Sequence, residues 1–287
     1  MKFSKDLNIL IIGLGLMGGS YASALSKKGY KVNAITLDQE SIDYALEKGW
    51  IEKGTTEPDA EMLGNADITI CALYPTVFID WIGKNQHLLK SGSILTDITG
   101  VKEAVVDKVQ GMLRDDVEFI SAHPMAGREA SGIMHSDDSV FNGANYIVVP
   151  TDKNTPEAIQ LCKELGEALG FCKISELDAK THDTMIAFLS QLTHVIAVAL
   201  MCATDDPSLE KYTGDSFRDL TRIAKINDEM WSELFLINKE TLLSQMQKFR
   251  EAFDALEETL INEDREEMRK MMRLSTERRS LFDKKQR

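Results

Sequence analysis

The sequence predicts an α/β chain in two parts: a doubly wound parallel sheet over residues 1–175, then an all-α domain over 176–287. Three observations carry this. Short apolar runs alternate with amphipathic ones as far as residue 175, the pattern of parallel strands joined by crossover helices. A glycine turn, Gly13-Leu14-Gly15-Leu16-Met17-Gly18, stands between the first apolar run and a helix-like segment at 20–27. After Ser175 the strand signal vanishes and helical patterns fill the remaining chain.

Taken in order, the first strand is 9–12, and the glycine turn follows it directly. Gly13 permits a tight turn, Gly15 lets the backbone approach a pyrophosphate, and Gly18 lets the helix pack closely on its strand, with the helix N-terminus facing the negative charge. That is the grammar of a Rossmann-type dinucleotide site. Its cofactor-facing residues are Gly13, Gly15, Leu16, Met17 and Gly18, and a nicotinamide-type cofactor is expected; a Rossmann-like domain that has lost its ligand is the bland alternative. Further strands are expected at 32–37, 68–73, 93–97, 117–121, 146–149 and 171–174, with helices at 41–48, 77–89, 102–112 and 156–169 between them. Beyond 175 the helices are 179–203, 216–225, 228–260 and 264–284, broken near Asp205-Asp206-Pro207 and at Asn262.

Composition narrows the partners. A length of 287 residues fits about two domains, and a net charge of −13 argues against nucleic acid and anionic membrane. Any anion bound here needs a local cluster of positive charge. The four cysteines are far apart in apolar contexts, which suggests neither a metal box nor a disulfide framework and fits the reducing cytoplasm. Lys2 and Lys5 before an apolar run resemble a signal peptide superficially, but glycines break that run and it reads as the first strand. The long apolar stretch 185–203 carries Ser190, Gln191, Thr193 and His194 in its middle, costly in lipid, so a buried core helix is expected rather than a membrane span.

Three groups of residues can carry chemistry. His123, in Ser121-Ala122-His123-Pro124-Met125-Ala126-Gly127, follows the strand 117–121, which Pro124 is expected to end. It falls at the carboxyl end of a strand, where open α/β sheets bind ligands. A neutral histidine beside a nicotinamide can take a hydroxyl proton as hydride leaves the same carbon; a loop histidine bonding nearby backbone is the alternative. Ser190 and His194 share one face of an apolar helix at i,i+4, lining a cavity or forming a satisfied core pair. Arg218, Arg222 and Lys225 make a stripe at i, i+4 and i+7, fit for an anionic substrate or for a solvated face in which Asp215 and Asp219 pair with the arginines.

Taken together these motifs resemble the prephenate dehydrogenase family of tyrosine biosynthesis, over nearly the whole chain. The carriers are Gly-Leu-Gly-Leu-Met-Gly-Gly-Ser at 13–20, Thr-Asp-Ile-Thr-Gly-Val-Lys at 96–102, Ala-His-Pro-Met-Ala-Gly at 122–127, Ser-Gln-Leu-Thr-His at 190–194, and Phe-Arg-Asp-Leu-Thr-Arg-Ile-Ala at 217–224 followed by Met230-Trp231. The resemblance implies that His123 is the catalytic histidine, that Ser190 and His194 face the substrate, and that Arg222 anchors a substrate carboxylate. It also implies a helical domain that builds a homodimer, for which 185–203 and the apolar positions Leu256, Leu260, Met268, Met271, Met272 and Leu281 supply surface. The residues beyond 175 are taken up by that domain, so no attached regulatory or chorismate mutase domain is expected.

Three departures from the family pattern matter. Where relatives read Gly-Ser-Val-Lys this chain has Thr99-Gly100-Val101-Lys102, so the serine expected beside the catalytic histidine falls on Gly100, with Thr99 as a substitute hydroxyl one position away. Arg128 replaces a threonine or serine and adds positive charge at the mouth of the site, for a substrate carboxylate or for pairing with Glu129 or another surface acid. The acidic residue expected at the end of the second strand aligns with Thr36, while Asp38, two residues later, is either the ribose ligand or the N-cap of the next helix. The segment 36–41 has no arginine for a 2′-phosphate, and Asp38 and Glu40 repel one, so NAD is expected over NADP.

The implied reaction is oxidative decarboxylation of prephenate to 4-hydroxyphenylpyruvate. Arogenate dehydrogenase or another cyclohexadienyl dehydrogenase using NADP is the nearest rival. A dehydrogenase of β-hydroxy acids is disfavoured because that group uses a catalytic lysine in its helical domain, and a dinucleotide-binding regulator without turnover is the alternative from another class.

Overall fold

A computed structural model of the chain describes residues 2–128 and 130–283. By its internal contacts the chain divides into two units, 1–238 and 239–287.

The first unit is built on a six-stranded sheet. In chain order its elements begin β1 (Asn8–Ile12), α1 (Leu16–Lys27), β2 (Lys31–Ile35), α2 (Gln39–Glu47), β3 (Lys53–Thr55), α3 (Ala60–Asn65), β4 (Ile68–Cys71), α4 (Pro75–Asn85), β5 (Ile94–Asp97), α5 (Glu103–Met112) and β6 (Glu118–Phe119). The strand order is β3-β2-β1-β4-β5-β6, and every pairing is parallel. This is the doubly wound Rossmann arrangement, with the chain reversing direction across the sheet between β1 and β4. The central strands are buried along nearly their whole length, as a sheet covered by helices on both faces requires. Two of these elements, β3 and α3, are too short to show a period in the sequence. Aspartates start the connecting helices: Asp38 accepts the Glu40 N–H at 3.1 Å and Asp59 the Met62 N–H at 2.7 Å.

The sheet ends differently from the sequence expectation. Instead of one strand at 117–121, the chain leaves the large sheet after β6 and starts a second, three-stranded sheet with β7 (Ser121–Met125), β8 (Asn145–Val149) and, after α6 (Pro156–Leu169), β9 (Lys173–Glu176). β7 runs antiparallel to β8, with His123 opposite Ile147 and Pro124 opposite Tyr146. Pro124 therefore does not end the strand. It is tolerated because β7 is an edge strand of the order β7-β8-β9, where a missing N–H leaves no ladder partner unsatisfied.

The same unit continues with α7 (Ala179–Ile186), a turn of π-helix over Ala187–Gln191, and α8 (Leu192–Met201), one continuous helical stretch. Ala179–Met201 is long and apolar enough to cross a membrane by length and composition. It is not buried all round as expected: Phe188 and Leu189 are 54% and 46% exposed, so one flank of the helix lies open within a single chain. α9 (Asp215–Thr221) and a tight turn over Arg222–Ala224 follow, then α10 (Asp228–Ile237).

The single helix expected over 228–260 is broken at Asn238. Its side-chain amide is used inward, donating to the Asp183 carbonyl at 3.0 Å and to Gln191 Oε1 at 2.9 Å, and its backbone leaves the helical region. The second unit holds α11 (Lys239–Ile261) and α12 (Arg265–Ser280), packed on one another. Lys284, expected as the end of the last helix, lies outside the described residues. Phe253, Leu260, Ile261, Leu281 and Phe282 are all exposed.

Candidate active site

The glycine turn has the steric form its spacing predicts. Gly13 has φ +95° and a Cβ there would stand 2.7 Å from the Ala72 carbonyl, so no other residue fits without strain. Gly18 packs against the turn itself, with its missing Cβ position 1.9 Å from the Gly13 carbonyl oxygen. Gly15 differs: it caps α1 without a side chain, and among the described residues no atom beyond its chain neighbours lies within 4 Å of its Cβ position. The N–H groups of Leu16, Met17 and Gly18 in the first turn of α1 stand beside that open space at the positive end of the helix. A pyrophosphate fits this cradle, and these residues would hold it.

Thr36 and Asp38 take parts of their own. The Thr36 hydroxyl accepts the Leu14 N–H at 3.2 Å, which ties the end of β2 to the glycine turn. Asp38 is the N-cap of α2, with its second oxygen accepting from the Ser41 hydroxyl at 2.6 Å; that bond, with the helix N–H donors, holds the exposed carboxyl below its ordinary pKa. It stays charged at the start of α2, three residues past the end of β2. We expect Gly15→Val to fold with Tm lowered by no more than a few degrees, the cost of a poorer N-cap, and to weaken NAD binding at least tenfold by calorimetric titration, because the new side chain enters ligand space rather than protein. Unaltered affinity would remove the cradle from the site.

Beyond the carboxyl end of β5 lies a fully buried ion pair. Lys102 Nζ donates to Asp97 Oδ2 at 2.8 Å, to Thr99 Oγ1 at 3.2 Å and to the Ala122 carbonyl at 2.6 Å, so each ammonium proton is used. Asp97 in turn accepts from Ser121 Oγ at 2.6 Å, from the N–H of Ala122 at 3.2 Å and of Thr99 at 3.0 Å, and from the Thr99 hydroxyl. Burial lowers the Lys102 pKa while Asp97 opposes the shift. Here the expectation for Thr99 is corrected. Its hydroxyl is engaged by the Asp97–Lys102 pair and the Val101 carbonyl rather than standing as a substitute hydroxyl at His123. Gly100 is the residue beside His123: a Cβ there would sit 3.8 Å from His123 Nε2 and 3.6 Å from the Leu234 side chain.

His123 stands next to the pinned Ala122 carbonyl, past the carboxyl end of β6 in the large sheet. Its Nδ1 lies 2.8 Å from Nε2 of His182, and Nδ1 of His182 lies 2.7 Å from Asp183 Oδ1. Burial, joined by the His182 ring and the Lys102 cation, pushes the His123 pKa well below the ordinary histidine value, so the ring is neutral near pH 7. Burial also lowers His182, against the pull of Asp183. Asp183 is the N-terminal anchor of α5 as well, accepting the N–H of Lys102 at 2.8 Å and of Glu103 at 2.9 Å.

Helix α10 joins this site to α8. Leu234 faces Gly100, and one turn earlier Trp231 stacks on the His194 ring at 3.7 Å between centroids and 28° between planes. His194 Nδ1 donates to the Ser190 carbonyl at 2.9 Å, which fixes the imidazole across the π-helical turn that contains Ser190. Such turns recur at functional sites because they aim side chains that a regular helix would not. Gln191 Nε2 donates to the Leu234 carbonyl at 3.0 Å, and Glu233 Oε1 accepts the Thr76 N–H at 2.6 Å at the start of α4. One face of α10 thus meets His194 at Trp231 and, a turn later at Leu234, the Gly100 backbone that also borders His123.

The cationic stripe does not survive as drawn. α9 stops at Thr221, and Arg218 is engaged by Asp215 at 2.6 Å and the Thr213 carbonyl at 3.2 Å. Arg222, at the head of the tight turn that packs on α8, is exposed. Arg128 donates to Asp137 at 2.8 Å and to Ser139 at 3.2 Å, while Glu129, its other expected partner, lies outside the described residues. His182 and Asp183 were not legible as site residues, although an adjacent His-Asp pair opening an otherwise apolar helix is a signal to weigh.

A glycine cradle at a helix N-terminus and a neutral histidine beyond the carboxyl edge of the same parallel sheet define a dinucleotide-dependent oxidoreductase. Comparison with known proteins gives the family. A family model for prephenate dehydrogenase, nucleotide-binding domain, matches residues 21–175, and one for prephenate dehydrogenase, dimerization domain, matches 178–274. The chain is similar to the prephenate dehydrogenase of Lactococcus lactis subsp. cremoris, 31% identical over 86% of this chain and 70% of that protein. It is similar to the solved prephenate dehydrogenase of Aquifex aeolicus in complex with hydroxyphenyl propionate and NAD+, with a TM-score of 0.88 and 30% identity over 96% of this chain and 98% of the other. Synechocystis arogenate dehydrogenase follows, with a TM-score of 0.83 and 25% identity over 96% of this chain and all (100%) of the other. The chain belongs to the prephenate dehydrogenase family and is an NAD-dependent oxidoreductase.

Proposed function

We propose that this protein oxidises prephenate to 4-hydroxyphenylpyruvate and carbon dioxide in tyrosine biosynthesis, with residues 1–175 holding NAD and residues 176–287 providing the substrate-facing and dimer-forming helices. The observation that carries the reading is the neutral His123, with Nδ1 engaged by His182 at 2.8 Å and Nε2 beside Gly100, in the same unit as the glycine cradle. Held by the glycine cradle at Gly13, Gly15 and Gly18, an oxidised nicotinamide would supply the hydride acceptor for the ring carbon that bears the hydroxyl. His123 Nε2 takes the proton of that hydroxyl, its O–H bond breaking as the new N–H bond forms. The ring carboxylate then leaves as carbon dioxide, the electron pair of the broken C–C bond makes the ring aromatic, and the ring oxygen takes up a proton; aromatisation supplies most of the driving force.

The remaining work is orientation and charge. Prephenate carries two carboxylates into a protein of net charge −13, so local cations must meet them. Arg222 is assigned to one carboxylate, with His194 and Ser190 ordering the substrate face against Trp231. Arg222→Ala is expected to raise KM for prephenate about 10- to 100-fold with a smaller effect on kcat, because a charge-assisted contact of roughly 1.5–3 kcal/mol is present in ground and transition states alike. Steady-state kinetics check this, and an unchanged KM returns Arg222 to a surface role.

The substrate and cofactor are tested together by measuring kcat/KM for prephenate and arogenate with NAD and NADP. The expected result is at least a tenfold preference for prephenate and for NAD, the latter from the fixed negative charge of Asp38. Preference for arogenate overturns the substrate assignment. We also assign a cytoplasmic homodimer without nucleic-acid or membrane partners. The open flank of Ala179–Met201 with Phe188 and Leu189, and the exposed apolar residues of α11 and α12, are the surface a second copy would cover. Light scattering should give about twice the 32.1 kDa chain mass; a fully active monomer contradicts this.

A further inference from the structure

A base at His123 needs a bare Nε2, and the inference below rests on that reading of the reaction. The intrinsic preference of a neutral imidazole is the opposite, with the proton on Nε2. Something in the fold must hold the proton on Nδ1.

The buried contacts supply it. Both oxygens of Asp183 face backbone N–H donors, Oδ1 that of Lys102 and Oδ2 that of Glu103, so the carboxylate is fixed as an acceptor. At 2.7 Å from Asp183 Oδ1, Nδ1 of His182 must carry a proton; a bare nitrogen there would place two acceptors in contact. The neutral His182 ring then has a bare Nε2, and at 2.8 Å this nitrogen must receive the Nδ1–H of His123. What remains on His123 is a bare Nε2, beside Gly100. His182 itself is fully buried, so no solvent competes for either of its nitrogens.

We propose that His182, oriented by Asp183, is the positioning residue that fixes the tautomer of His123 and so makes His123 a base. When the substrate proton arrives on Nε2, the His123 imidazolium keeps its Nδ1–H on His182. No proton moves further along the chain, and Asp183 serves as orienter and counter-charge. The pair also ties helix α7 to strand β7 and to the first turn of α5, so the base is competent only when these three elements are seated together.

The test uses the full-length protein labelled with 15N-histidine, in wild type, His182→Leu and His182→Gln. In the wild type the His123 resonances should show a protonated Nδ1 and a bare Nε2. In His182→Leu the proton should move to Nε2, and kcat should fall on the order of 10²- to 10⁴-fold, the scale seen when an orienting acceptor is lost from a catalytic histidine. Glutamine offers a carbonyl acceptor to Nδ1–H, so His182→Gln should restore the wild-type tautomer and at least tenfold of the lost rate. If His123 keeps Nδ1–H in His182→Leu, or carries Nε2–H in the wild type, the proposal is overturned. If the tautomer switches in His182→Leu while kcat is unchanged, the positioning role stands and the assignment of His123 as the base fails.

Discussion

The His123→Asn variant is expected to turn over about 10²- to 10⁴-fold more slowly than the wild type while binding NAD nearly as well, since loss of a general base affects chemistry rather than the glycine cradle. Asparagine keeps a polar group of similar reach in β7 and leaves the Asp97–Lys102 pair beneath it untouched, so Tm should change little. The wild-type pH profile gives a second view of the same residue. In the proposed base role it acts in its neutral form, and burial beside His182 and Lys102 pushes its pKa below the ordinary value of about 6.5. Activity limited by this group is therefore full above pH 6.5 and is lost only as pH falls through the lower value. His123→Asn should lack that acid limb; near-normal turnover in the variant would remove His123 from the chemistry.

Lys102→Met should be the most destabilising single change near the site. It leaves the Asp97 carboxylate completely buried without its counter-charge, a loss on the order of 3–5 kcal/mol. For a chain of this size, at roughly 2–4 °C per kcal/mol, differential scanning calorimetry should show Tm falling by about 10 °C. Removing both charges together, as Asp97→Asn with Lys102→Met, should cost less than Lys102→Met alone, because no uncompensated charge remains. Lys102 also holds the Ala122 carbonyl next to His123, so residual activity should fall further than the fraction unfolded explains. A Tm within 2 °C of wild type contradicts the ion-pair account.

The parts of this architecture set by local physics were legible. Gly13, Gly15 and Gly18 announced the cradle because each satisfies a separate steric need at a fixed spacing, and the apolar runs of β1, β4 and β5 announced a sheet buried on both faces. His123 was legible because its motif follows a strand. The strand it occupies was not: the change of sheets at Ile120 and the pairing of Pro124 with Tyr146 depend on β8, more than twenty residues away. Long-range contacts hid the rest. Thr99 reads as a hydroxyl near the histidine until Asp97 and Lys102 are seen to claim it. The break at Asn238 is invisible in the helical pattern of 228–260 and follows from bonds to Asp183 and Gln191. His182 and Asp183 gain meaning only from the partners that α5 and β7 bring to them.

The most direct test of the account is a crystal structure of this protein with NAD+ and 4-hydroxyphenylpropionate, a ligand that presents the phenolic oxygen and one carboxylate of the product class. The account predicts that oxygen about 2.6–3.2 Å from His123 Nε2, with Nδ1 still on His182 and the carboxylate on Arg222. A phenolic oxygen seated away from His123, with the ring held by other groups in the presence of bound NAD+, would contradict it.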